Sequence, residues 1–111
     1  MESQTTLANR HGFTKTFTAE YAIDKANLTI ITPTSGKALQ IKGVYIGTGS
    51  TDGKVRLYFA TTADSAAIVY GADNTGYIPM FIEGAVDEPL AMTSTFGAGD
   101  PFFVLVNYTE N

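Results

Sequence analysis

The chain has 111 residues, with 7 Lys+Arg against 11 Asp+Glu, so only 16% of it is charged and the net charge is −4. Soluble domains usually carry about 25% charged residues. Here the apolar fraction is an ordinary 44%, and uncharged polar residues, 16 of them Thr, fill the place of the missing charges. These figures exclude global disorder, which needs low hydrophobicity and high net charge. They also exclude a long coiled coil, which needs abundant Ala, Glu, Lys and Leu.

A chain of this length makes one domain. Seven Phe and six Tyr supply a core, and no disulfide is available to replace one, since there is no Cys. The absence of Cys also removes thiolate zinc sites and thiol nucleophiles. Phosphate backbones are held by clustered Lys and Arg. The seven basic residues are scattered, so nucleic acid is not expected as a partner. The opening Met1-Glu2-Ser3-Gln4-Thr5-Thr6 lacks the basic-then-apolar order of a signal peptide. No apolar run approaches the ~20 residues of a membrane span. The expectation is synthesis in a cytoplasm and no membrane partner.

Residues 1–12 are polar and aperiodic, and read as an N-terminal arm, frayed or ordered against a neighbouring subunit. Residues 13–111 read as one β-sandwich domain. Phe13, Phe17, Ala19, Tyr21 and Ile23 alternate with Thr14, Thr16, Thr18 and Glu20, the period of a half-buried strand. After the turn Asp24-Lys25-Ala26-Asn27, the β-branched run 28–32 is a second strand. Pro33-Thr34-Ser35-Gly36 ends it. The third strand is 37–47, in which Gly43 predicts a bulge or bend. The loop Thr48-Gly49-Ser50-Thr51-Asp52-Gly53 contains an Asp-Gly pair, which predicts a hairpin to the strand 54–62.

Further strands follow at 66–71, 77–83, 89–95 and 101–109. Pro79 marks 77–83 as an edge strand. In the last strand Phe102, Val104, Val106 and Tyr108 form one face. Phe103, Leu105 and Asn107 form the other, which is also partly apolar. A strand apolar on both faces is central and covered, or lies at a subunit interface. About eight strands at roughly 8–12-residue spacing indicate an all-β sandwich or barrel. The expected architecture is an antiparallel, jelly-roll-like sandwich of about eight strands. A seven-stranded immunoglobulin-like sandwich fits less well.

Catalytic chemistry has little to work with. His11, the only histidine, lies in the polar arm, where a general base has no positioned, sheltered site. Asp24, Asp52, Asp64, Asp73, Asp87 and Asp100 all fall in expected turns, where Asp bonds its own backbone. The 48–53 loop has one carboxylate where a calcium loop uses several. Glu83, Asp87 and Glu88 are close enough in sequence to consider as paired carboxylates for glycoside hydrolysis, with a solvated turn as the simpler reading. The glycine pairs Gly47/Gly49 and Gly97/Gly99 lead into strands, so hairpin geometry explains them better than a phosphate cradle does. Asn27-Leu28-Thr29 and Asn107-Tyr108-Thr109 match the glycosylation triplet but lack a secretory signal to give it meaning. Tyr45, Tyr58, Tyr70, Tyr77 and Tyr108 can be read as core or interface residues or as a sugar-binding face, and the parity of Tyr45 and Tyr108 favours the core. No catalytic residue, cofactor or metal is expected. The chain reads as a protein that acts by surface and assembly.

The run Leu28-Thr29-Ile30-Ile31-Thr32-Pro33-Thr34-Ser35-Gly36-Lys37-Ala38-Leu39-Gln40-Ile41-Lys42-Gly43-Val44-Tyr45-Ile46 resembles the opening strands of small β-sandwich virion proteins from tailed phages. The run from Ile82 to Ser94 and the closing Phe103-Val104-Leu105-Val106-Asn107-Tyr108-Thr109-Glu110 resemble the later strands of the same group. The resemblance covers about Leu28 to Glu110. It rests on the alternation of strands and turns. It implies a head decoration protein, or a module of a tail or fibre, located in the virion. The implied partners are copies of itself, as a trimer, and the major capsid protein. Leu7, Arg10 and Phe13 would anchor the arm on a neighbour, offsetting an ordering cost of about 1–2 kcal/mol per residue. Phe103 and Leu105 are the expected contact residues on the last strand. The alternative is a carbohydrate-binding or tail-fibre sandwich module. An enzyme using Glu83, Asp87 or Glu88 is a third, remote reading.

Overall fold

Strands with period-two sequence must each bury one face, and here they do so by pairing into two antiparallel sheets that close on each other. The computed structural model describes residues 3–8, 14–48, 54–59, 69–72, 76–95 and 101–111. Its strands are β1 (Ser3–Ala8), β2 (Lys15–Tyr21), β3 (Leu28–Ile31), β4 (Ala38–Thr48), β5 (Lys54–Phe59), β6 (Val69–Ala72), β7 (Gly76–Val86), β8 (Leu90–Thr95) and β9 (Phe102–Glu110). One sheet has the order β1-β2-β9-β4-β7 and the other β3-β8-β5-β6.

The pairing is that of a rolled ribbon. β2 pairs with β9, β3 with β8, β4 with β7, and β5 with β6, all antiparallel. Those four pairs are the two arms of one long hairpin. Rolling the hairpin brings β4 against β9 and β5 against β8. The result is a jelly roll of eight strands, with β1 added outside β2.

The core lies between the sheets. Phe17, Ala19, Tyr21, Leu39, Ile41, Val44, Ile46, Phe102, Val104, Val106 and Tyr108 point inward from the five-stranded sheet. Ile30, Ile31, Val55, Leu57, Phe59, Leu90 and Met92 meet them from the other. The expected alternation holds on β2 and β9. Lys15, on the apolar parity of β2, sits at the strand's open end and escapes burial there.

On β4 the alternation reverses halfway. Leu39 and Ile41 are buried, and so are Val44 and Ile46. Against β9 the register shifts between Ile41 and Gly43, so Lys42 is an extra residue on β4 that changes its parity; against β7 the shift runs the other way, with Met80 and Phe81 standing opposite Lys42 alone. The bulge expected at Gly43 is therefore present, and it turns Tyr45 outward, against the core position that simple parity assigns to it.

Two other expectations are corrected. β4 and β5, read as a hairpin around Asp52-Gly53, lie in different sheets. Each already has two antiparallel neighbours in its own sheet, so the connection carries the chain across the sandwich. Ser3–Ala8, read as part of a separate arm, pairs with β2 of the same chain from Ser3 opposite Glu20 to Ala8 opposite Lys15. β2 would otherwise leave its outer backbone groups unpaired, and a polar strand satisfies them. Arg10, His11, Phe13 and the Leu7 side chain lie outside the described residues.

Crossing segments are tied down by side chains. Lys25 and Ser94 exchange two bonds: Lys25 N donates to Ser94 Oγ (2.9 Å) and Ser94 N to Lys25 O (2.8 Å). Asn27, at φ 50, accepts from the Tyr58 hydroxyl and donates from its N to Thr93 Oγ1 at 3.0 Å. At the end of the sandwich where β9 finishes, Lys15 Nζ stands 2.7 Å from Glu110 Oε2, and Thr34 N donates to Glu110 Oε1. One carboxylate thus joins β2, β9 and the β3–β4 connection. These hydrogen bonds, Lys15 first and the Thr34 backbone second, hold the Glu110 carboxyl below its ordinary value. The bond to Glu110 likewise raises Lys15.

This packing has two measurable consequences. Leu57→Ala empties a fully buried position and should cost about 2–5 kcal/mol in urea unfolding. For Glu110, a depressed folded pKa means stabilisation present above the ordinary 4.5 and lost as pH falls through the folded value. The stability gap between the native chain and Glu110→Gln should therefore persist at neutral pH and close on acidification below 4.5. Chemical denaturation along a pH series checks this.

Candidate functional site

The outward face of the five-stranded sheet carries the apolar residues that the core does not use. Register places them in rows. Thr18, Leu105, Tyr45 and Tyr77 lie side by side across β2, β9, β4 and β7. Thr16, Asn107, Gly43 and Pro79 form the next row. In the other direction Glu20 and Phe103 pair, with Gly47 beyond them on β4. Phe81 stands further along β7 and is 79% exposed, the most open large apolar side chain described.

The two tyrosines do not stand up from the sheet. Tyr77 reaches over β4 to β9, where Asn107 Nδ2 donates to its hydroxyl at 3.0 Å. The ring therefore crosses the whole width of β4. It does so above Gly43, where a Cβ would overlap the Tyr77 Oη, Cζ and Cε1 atoms. Only glycine at this position lets the ring lie down. Tyr45 reclines along β4 in the same way, and a Cβ at Gly47 would fall 2.7 Å from its hydroxyl. Phe103 braces Tyr45, with ring centroids 6.2 Å apart and planes tilted by 55°.

Polar groups orient this surface. Thr16 Oγ1 donates to Asn107 Oδ1 at 2.6 Å, so the amide turns its NH₂ toward Tyr77. Thr109 Oγ1 donates to Gln40 Oε1 at 3.2 Å, and Asn111 Nδ2 to Glu83 Oε1 at 2.8 Å. Lys42 holds its ammonium 5.1 Å above the centre of the Phe81 ring, a cation–π contact.

Of the expected interaction residues, Phe103 and Leu105 lie on this face, half-buried and adjacent to Tyr45. Leu7, Arg10 and Phe13 have side chains outside the described residues. Of the five tyrosines weighed as a sugar face, Tyr108 is buried in the core, Tyr58 is buried under the β2–β3 connection against Asn27 and Thr93, and Tyr70 lies outside the described side chains. Tyr45 and Tyr77 remain on the surface, a pairing that sequence parity misses. The usable signal is Gly43 with Tyr45 and Gly47 after it. A bulge glycine shifts the parity of the residues beyond it, and a second glycine leaves room for a ring.

The three carboxylates considered for catalysis are committed elsewhere. Glu83 accepts from Asn111. Asp87, at φ 65, accepts from Gly36 N at 2.6 Å and holds the β3–β4 connection against the β7–β8 turn. Glu88 is buried and accepts from Ala85 N at 2.9 Å within that turn. Among the described residues, no three His, Cys, Asp or Glu side chains are grouped to hold a metal ion. Comparison with family models, curated proteins and solved structures finds no match to this chain.

Replacing Gly43 by Ala should push the Tyr77 ring off the sheet and break the bond from Asn107. The expected cost is about 1–3 kcal/mol. Loss of magnetisation transfer between the Asn107 side-chain amide and the Tyr77 ring, with the rest of the spectrum retained, checks it.

Proposed function

We propose that the chain is a structural virion protein, of the capsid-decoration type, that works as an oligomer. The observation that carries this reading is the edge strand β7. It is 11 residues long and borders the five-stranded sheet. Sheet edges in monomers are blunted by charge, proline, bulges or shortness, because their free backbone groups recruit other strands. β7 has Pro79 and two bulges against β4, but Met80–Val86 runs with one charge, Glu83. Phe81 and Val86 are more than half exposed along it.

The second edge of the same sheet is β1. Contact of β7 with β1 of the next copy is head-to-tail, and such contacts close into rings when the rotation allows. A trimeric ring is the proposed state, with β7 of one copy joining the open side of β1 of the next while β1 stays on its own β2. Low charge limits the desolvation cost of bringing copies together. Many weak contacts to a repeating shell add through avidity. The jelly roll is shared by viral capsid and lectin domains, so the fold alone does not select this role. The assignment to the virion rests on the resemblance of the 28–46 and 82–110 runs. Detection of the chain in the mass spectrum of purified particles is its direct test.

Light scattering tests assembly. The native chain should run as an oligomer, and Phe81→Lys should shift it towards monomer while leaving the circular dichroism spectrum unchanged. A strict monomer at high concentration overturns the reading.

A further inference from the structure

We propose that Tyr45 and Tyr77 form a binding platform for a neutral hexopyranose glycan. This concerns the two rings that lie over β4, whereas assembly concerns the β7 edge with Phe81, so glycan titration and oligomer size test the two separately.

The platform is built before any ligand arrives. Gly43 opens the space, Asn107 fixes the end of the Tyr77 ring, and Thr16 fixes Asn107. A ring lying across a strand turns one π-face down and the other to solvent, and Tyr77 is 50% exposed. Sugars in the chair form present a flat patch of C–H bonds that packs on such a ring. Holding the ring down removes the entropy cost of ordering it on binding.

The hydrogen-bond direction adds a second requirement. Thr16 donates to the amide oxygen, and the amide nitrogen donates to the Tyr77 hydroxyl oxygen. The Tyr77 hydroxyl proton has no acceptor among the described residues and is available to an incoming oxygen. A ligand that is apolar over a ring's width and offers acceptors at its rim satisfies both. An apolar protein side chain satisfies only the first.

Charge narrows the class. Among the described residues, Glu20 and Glu83 lie on this face, and Lys42 holds its ammonium over Phe81. Two carboxylates against one ammonium leave the described part of this face net negative, which disfavours acidic or sulfated glycans. Gly43 and Gly47, over which the two rings recline, are four residues apart on β4, roughly 13 Å at the rise of a strand. Both rings are engaged together by a chain of sugars and not by a monosaccharide.

The test titrates maltohexaose, cellohexaose and mannohexaose, with a hyaluronan hexasaccharide as the acidic comparator, into isotope-labelled protein at about 1 mM ligand. At least one neutral hexaose should shift the Tyr45, Tyr77 and Asn107 resonances, and the acidic one should not. Tyr77→Ala should weaken that binding by about tenfold or more. Tyr77→Phe keeps the ring and its packing, and should give a smaller loss. It therefore separates the hydroxyl's contribution from any unfolding. Silence from all three neutral hexaoses overturns the proposal. So does binding left unchanged by both Tyr45→Ala and Tyr77→Ala, or equal binding of the acidic comparator. Smaller oligomers in the Tyr77→Ala variant, with no glycan bound by the native chain, would reassign the face to contacts between copies.

Discussion

The inserted residue at Lys42–Gly43 is the constraint on which the rest of this molecule leans. A strand of regular pleat buries every second residue, and β4 cannot bury Leu39, Ile41, Val44 and Ile46 together without a change of parity. The bulge supplies the change, and all four reach the core. β4 lies between β9 and β7 and makes the seam where the ribbon rolls up. Losing its inward set would therefore open the sandwich at its centre. The same bulge sends Tyr45 outward and presents Gly43 where Tyr77 needs a floor. Core packing and surface platform thus share one local irregularity.

Rolling a single ribbon also decides where the exposed edges fall. The paired arms leave β7 and β1 at the borders of one sheet, and β3 and β6 at the borders of the other. β3 and β6 have four residues each and offer little to a neighbour. β7 has 11 and is the edge with most to gain from a partner. The edges and the aromatic face are separate surfaces of one sheet. Extension of the sheet at β7 leaves the face open and would set the platforms of neighbouring copies in line.

Several of the few charged groups are used to fasten connections. Glu110 with Lys15 and Thr34, Asp87 with Gly36, and Glu88 with Ala85 each bind a crossing segment or turn. Carboxylates spent in this way are poor candidates for proton transfer, since moving the proton would release the connection they hold. Among the described residues the core between the sheets carries no charged side chain, and the ions lie on the sheet faces and in the connections.

The sequence by itself determined the strands from β2 onward, their inward faces on β2 and β9, the edge position of β7 through Pro79, and the bulge at Gly43. Each of these comes from local steric and solvation rules: alternation, the missing N–H of proline and the missing Cβ of glycine. Only the tertiary structure decided which strands pair. Asp52-Gly53 favours a tight turn, but its flanking strands lie in opposite sheets, because pairing energy is collected from partners distant in sequence. It also decided that Ser3–Ala8 lies on β2, an edge no local pattern reveals. Last, it decided that Tyr77 meets Asn107 across Gly43. That contact joins three strands from separate parts of the chain, and only the rolled ribbon brings them together.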